Sequence, residues 1–190
     1  RAKHFNFKEV EDINYYEVAT PTTELMYRSG LEQGQILDAF LTINTSPEFN
    51  FSFAYKGLRS LGKYRNTLAS FGNFRTTFNY QTKNNRYSAR GHFVSHDFLN
   101  QENGGLTAQS IISFEDNDPN FTDRGRLETN YTNAENFLLA KRYHLEHDFK
   151  IFRKKDSIKG KPSNFKVGLQ YTYKTKHYHF DQTSASLIIG

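Results

Sequence analysis

The 190-residue chain reads as all-β, part of an antiparallel transmembrane β-barrel with short periplasmic turns and long extracellular loops. Three observations predict this. Segment after segment alternates an aromatic or aliphatic residue with a polar one, the period of a strand with two unlike faces. The composition is polar and ring-rich at once, with a mean hydropathy of −0.76 beside 18 Phe and 12 Tyr. Disorder would deplete aromatics, whereas a barrel in lipid needs apolar residues only at every second position and carries aromatic girdles. Finally, short and long connections alternate between the segments, as they do in outer-membrane barrels.

Residues 1–20 carry no sustained pattern and read as an irregular lead-in or loop; residues 21–190 read as part of one barrel domain. Thr22 to Arg28 is a weak first strand with Leu25 and Tyr27 on its apolar side. From Ile36 to Asn44, Leu37, Ala39, Leu41 and Ile43 oppose Asp38, Thr42 and Asn44, with Phe40 breaking the rule. After a Ser46-Pro47 turn, Phe49, Phe51, Phe53 and Tyr55 oppose Glu48, Asn50, Ser52, Ala54 and Lys56. Nine such residues suit a tilted strand crossing hydrocarbon.

The next pair runs Thr67–Tyr80 and Arg86–Asp97, joined by 81–85. Phe74, Thr76, Phe78 and Tyr80 oppose Arg75 and Thr77; Tyr87, Ala89, Gly91 and Phe93 oppose Ser88, Arg90 and His92. In the third pair, Tyr143, Leu145, Phe149 and Ile151 oppose Arg142, His144, Glu146, Asp148 and Lys150. Its partner sets Phe165, Val167, Leu169, Tyr171 and Tyr173 against Lys166, Gly168, Gln170, Thr172 and Lys174. His147 falls on the apolar face, against the pattern. Longer connections are expected near 30–35, 57–66, 98–140 and 175–190, the third as a long extracellular loop. Six or seven strands are fewer than the eight of the smallest such barrels, so the chain is expected to be a fragment that does not close alone.

Five segments resemble the putative porin family of Bacteroidetes: Pro21–Leu25, Gly34–Ala39, Ala54–Tyr64, Asn79–Asn84 and Leu99–Leu106. The resemblance implies a Gram-negative outer-membrane barrel, longer than this chain, with a channel function and no catalytic residues to carry over. The apolar faces then meet outer-membrane lipid. The polar ones line a pore: Lys56, Arg75, Arg86, Arg90, His92, Arg142, His144, Glu146, Asp148, Lys150, Lys166, Gln170 and Lys174. With Asp38 and Glu48 counted, that lining has eight positive and four negative residues, an excess that leans toward small hydrophilic anions; charges pairing across a plugged lumen are the competing reading.

Other classes fall away. The chain has no cysteine, and no stretch nears the roughly 18 apolar residues of a membrane helix. The net charge of +5 is dispersed among acids outside Arg153-Lys154-Lys155, Lys159 and Lys161, which argues against nucleic acid. No hydrolase elbow, phosphate loop or zinc-protease motif is present, so no enzyme, cofactor or metal is expected. Asp116–Asn120 opens like a calcium loop but has Phe121 where the turn glycine belongs. His177 and His179, and His144 and His147, lack a carboxylate at ligand spacing. Asp156-Ser157-Ile158 matches a short O-glycosylation signal, and four Asn-x-Ser/Thr matches, at Asn44, Asn50, Asn120 and Asn130, read as chance. The alternative function is a structural or accessory barrel subunit that meets other outer-membrane proteins or a second copy of itself; a soluble ligand-binding sandwich ranks third.

Overall fold

In an extended chain successive side chains leave on opposite sides, so segments with two unlike faces bury one chemistry only by pairing in register. Seven do so in the computed structural model, which describes residues 6–152 and 165–183. They are β1 (Thr22–Gly30), β2 (Gly34–Ser46), β3 (Phe49–Ser60), β4 (Ala69–Gln81), β5 (Tyr87–Glu102), β6 (Ala134–Phe152) and β7 (Phe165–Gln182). All pair antiparallel with their sequence neighbours, in the order β1-β2-β3-β4-β5-β6-β7. The sheet does not close. β1 and β7 are its two edges, exposed along almost their whole length.

Register converts the alternation into two continuous surfaces. Thr42, Ser52, Thr77, His92, His144 and Thr172 stand abreast on one face. One residue back, Leu41, Phe53, Thr76, Phe93, Tyr143 and Tyr173 stand abreast on the other. The usual burial is inverted. The polar face holds the buried residues Thr42, Asn50, Ser52, Asn73, Thr77, His92, His96, Arg142 and His144, while Phe53, Tyr55, Phe74, Tyr143, Leu145, Phe149 and Val167 are exposed on the aromatic face.

Strands run further than their apolar alternation. β5, β6 and β7 span 16, 19 and 18 residues, beyond the roughly 9–11 that hydrocarbon requires. Backbone pairing continues past the apolar stretch because each added residue still finds a partner, up to Glu102 opposite Ala134 and Ala134 opposite Gln182. The connections are correspondingly shorter than expected. Residues 175–182 are strand, not loop, and 31–33 form a tight turn in which Glu32 and Gln33 both take positive φ.

The long connection, 103–133, is ordered. A bridge between Leu106 and Thr129 closes its base, a short helix α1 (Ala108–Glu115) begins at an N-capping Thr107, and Leu127 is fully buried inside it. Asp118, within the calcium-like stretch, accepts the backbone N–H of Asn120 and caps one 3-10 turn, and Asp123 accepts that of Gly125 and caps another. Arg65 donates to the Gly125 carbonyl at 2.9 Å and Asn66 to that of Glu102 at 2.6 Å, tying 61–68 to the same lobe. The basic run from Arg153, with Lys159 and Lys161, and the Asp156-Ser157-Ile158 signal lie outside the described residues.

On the aromatic face the Phe78 ring lies over Gly91. A Cβ there would come 2.6 Å from Cε1 of Phe78 and 2.8 Å from the His144 carbonyl oxygen. The ring can swing aside but the paired carbonyl cannot. Gly91→Ala is therefore expected to destabilise the folded protein by about 1–3 kcal/mol, read as a lowered denaturation midpoint in detergent.

Candidate functional site

The polar face is covered. Residues 6–20, irregular apart from 3-10 geometry such as the turn Val10–Asp12, run across it as a strap. The strap makes no strand pairing; side chains hold it. Asn73 donates to the carbonyl of Asn6 at 3.3 Å, and the Lys8 N–H donates to Nε2 of His96 at 3.0 Å. Phe7 stacks on His96 with ring centres 4.3 Å apart, and Nζ of Lys176 sits over the same Phe7 ring at 4.9 Å. Asn44 accepts from the Val18 N–H at 3.2 Å, and Ile13 is buried. Tyr16 packs at 4.7 Å against Phe40, which explains the residue that broke alternation in β2: its ring faces the strap.

A chain of polar contacts crosses the centre. Arg142, 3% exposed, donates from Nε to Nε2 of His92 at 3.1 Å. A guanidinium has no acceptor to offer, so Nε2 must be the bare nitrogen and Nδ1 carries the proton toward the Tyr15 oxygen, 2.8 Å away. His92 stacks on His144 at 4.8 Å, and His144 meets Thr172 Oγ1 at 2.8 Å. Glu9 closes the network from the strap: its Oε2 lies 3.3 Å from Nη1 of Arg142 and 3.1 Å from Nζ of Lys174. Among the described residues, Nη2 of Arg142 and Nε2 of His144 are buried without a hydrogen-bond partner.

The charges expected to line a pore share this face with one exception. Lys56 pairs with Asp38 at 3.1 Å, and Arg90 pairs with Glu146 at 2.8 Å while its guanidinium covers the Tyr15 ring at 5.1 Å. Arg75 donates to Asn73 and borders a small cavity under the strap with Lys8, Asp12 and Tyr16. Asp148, Lys150, Lys166 and Gln170 follow the same register toward the turn end. Arg86 differs. It lies in the turn before β5, and its guanidinium sits 5.3 Å from the ring centre of Phe149 on the aromatic face. Lys176 takes its place on the polar face, beyond the stretch where aromatic alternation ends at Tyr173 and Lys174.

On the aromatic face the rings touch both across and along strands, Phe93 of β5 and Tyr143 of β6 at 4.7 Å, Phe51 and Phe53 of β3 at 5.5 Å. Leu37, Leu41, Tyr80, Ile151, Phe165, Leu169, Tyr171 and Tyr173 join them as exposed members, with Ile43, Phe49, Phe78 and Tyr87 half-buried between neighbours. His147 belongs to this cluster, 6.0 Å from Tyr87 and 6.2 Å from Tyr171, so its departure from the pattern places an imidazole among tyrosines. His144 therefore points away from it. His177 and His179 share the aromatic face, opposite Leu139 and Phe137.

The family whose sequence model is described as putative porin matches residues 1–190. The chain belongs to the putative porin family. No curated protein and no solved structure matches it significantly. The family gives a porin-like role in general terms, and a porin needs a water-filled way past a sheet whose other side is apolar. The strap is the part of this family member that the alternation could not reveal. Its signals were the Tyr15-Tyr16 pair, the misfit Phe40, and a sign of charge opposite to that of the strands.

Two strap groups make its docking pH-dependent. The hydrogen bond from Lys174 holds Glu9 below the ordinary carboxylate range, helped by the positive charge of Lys174, Arg142 and Lys176 and opposed by burial. That contribution is present above the ordinary carboxylate pKa and is lost as pH falls through the lowered one. Burial pushes Tyr15 from its ordinary 10 up to about 12. Its contribution is complete below pH 10 and is lost as pH rises toward 12. Protease access to residues 6–18 is expected to rise at both extremes, with Glu9→Gln removing the acid limb and Tyr15→Phe the alkaline one. Tyr15→Phe also forfeits the bond to His92, about 1 kcal/mol of docking.

Proposed function

We propose that the chain is part of an outer-membrane barrel that lets small hydrophilic solutes diffuse passively, with its aromatic face toward lipid and its polar face toward the lumen. The observation that carries this reading is the inverted burial: threonines, asparagines, histidines and Arg142 inside, phenylalanines, tyrosines and leucines outside. A contiguous apolar surface of this extent is a liability in water and a requirement in hydrocarbon. Strand pairing supports it too, because lipid tolerates an extended backbone only where N–H and C=O groups are paired. The open edges β1 and β7 fit a sheet completed by further strands. No role in the proposal requires catalysis.

The lining keeps a positive excess once Lys176 replaces Arg86, which favours a mild anion preference. The strap opposes it, bringing Lys8 against Glu9, Glu11, Asp12 and Glu17, a net of −3. This offset, with Lys56, Arg90, Arg142 and Lys174 all in ion pairs, also favours the second reading: a sealed barrel serving as an accessory subunit of a larger outer-membrane assembly.

Two measurements separate these. Leu145→Arg on the aromatic face is expected to cost about 2–4 kcal/mol of folding into lipid vesicles if it sits near the midplane; a neutral effect overturns the lipid-facing assignment. Entry of small sugars into liposomes carrying the full-length protein supports the pore, while sealed liposomes and co-purifying membrane proteins support the accessory subunit. In a salt gradient, reversal potentials are expected to favour anions and to move toward cations in Arg75→Glu.

A further inference from the structure

We propose that Arg142 and Lys174 form a binding site for a small carboxylate solute, and that Glu9 of the strap occupies it as a tethered, displaceable stand-in. The placement of this site in a lumen rests on the pore reading above; the site itself does not. The two cations are register partners on β6 and β7, so the sheet brings them together whether or not the strap is docked. Arg142 is held in place by His92 from the neighbouring strand β5, which keeps its terminal nitrogens aimed at the strap side. The site is thus preformed on rigid elements, and among the described residues its occupant is a carboxylate.

That occupant is fixed to its own strap, where Glu9 caps the Val10–Asp12 turn and its N–H donates to Asp12, but its contacts with the sheet are open to solvent. Glu9 and Lys174 are each nearly half exposed, at 45% and 44%, so water and small solutes reach the same atoms. The strap runs directly into β1 and, among the described residues, borrows no backbone pairing from any strand. Meanwhile Arg142 keeps a buried Nη2 with no partner among the described residues. A single Glu carboxylate leaves one guanidinium nitrogen unused, whereas a carboxylate free to rotate can meet both terminal nitrogens, the pairing guanidinium geometry favours. A solute carboxylate that displaces Glu9 therefore gains a bond the strap does not make. With the strap net negative over a net positive lining, displacement also restores the basic surface to the next anion. Transport and strap release are coupled through one site.

These 190 residues contain no cysteine, so Ile13→Cys, buried on the underside of the docked strap, gives a readout of lifting once any cysteine elsewhere in the full-length protein is replaced by serine. Thiol labelling of this variant in the full-length protein is measured against added succinate, with succinamide as the uncharged control. Succinate is expected to speed labelling saturably and succinamide to leave it unchanged. Adding Glu9→Gln is expected to raise basal labelling roughly tenfold, the loss of a hydrogen bond to a charged group, and to abolish the succinate response. Arg142→Gln with Lys174→Gln is expected to do the same. If succinate and succinamide act alike, or the response survives loss of both cations, the site is overturned. Conductance is recorded in parallel: a sealed barrel that still releases its strap to succinate overturns the pore and leaves the site standing.

Discussion

Strand register from Thr22 to Gln182 is the constraint on which everything else depends. Side chains alternate with a period of two, so a slip of one residue in any pair would send a whole strand's aromatics to the polar side. Among the described residues, shifts occur at Asn44/Ser46 and Lys150/Phe152, both at the same end of the sheet. Between those points the six pairings hold, and rows of unlike chemistry form across strands that are far apart in sequence. Thr42 and Thr172 are members of one such row. Glycines at crowded positions serve the same register, as Gly91 does by admitting the Phe78 ring beside a paired carbonyl.

Given two faces, the physical problem moves to the polar one. Buried hydroxyls, amides and imidazoles cost free energy unless each finds a partner. Neighbouring strands meet part of this demand: Asn50 donates to Thr42 and Asn44, and Ser52 and Thr77 share a hydrogen bond of 2.6 Å. The strap meets more of it, supplying Tyr15 to His92, the Lys8 amide to His96 and Glu9 to Arg142. Individually these are modest, since partly exposed ion pairs contribute about 0–1 kcal/mol each. Together they hold an irregular segment in place while leaving it separable from the sheet. A segment bound by strand pairing would be part of the wall; one bound by side chains can leave it.

The two functional readings differ in what becomes of that segment. In the pore, the strap narrows and tunes the passage, and its acids temper the basic lining. In the accessory subunit it seals the interior, and the apolar outer face with the ordered 103–133 lobe carries the contacts. The same carboxylate, Glu9, is central to both, because it joins the strap to cations on two different strands.

How much was legible in the sequence follows from the range of the interactions. Alternation is local, so Phe49 to Tyr55 and Phe165 to Tyr173 declared their faces without any partner in view, and with them the all-β class; the family resemblance rested instead on short motifs such as Ala54–Tyr64. Strand ends were less legible, because β7 past Lys174 persists through pairing with β6 and not through its own pattern. Arg86 was misplaced by parity: outside the strand, its long side chain was free to lie on Phe149. The strap was not legible from alternation, having no period of its own and contacts as distant as Glu9 to Lys174. Sequence alone determined which residues share a face, since that depends only on neighbours along the chain. Only the tertiary structure decided what covers the polar face, because its partners meet through the curvature and register of the whole sheet.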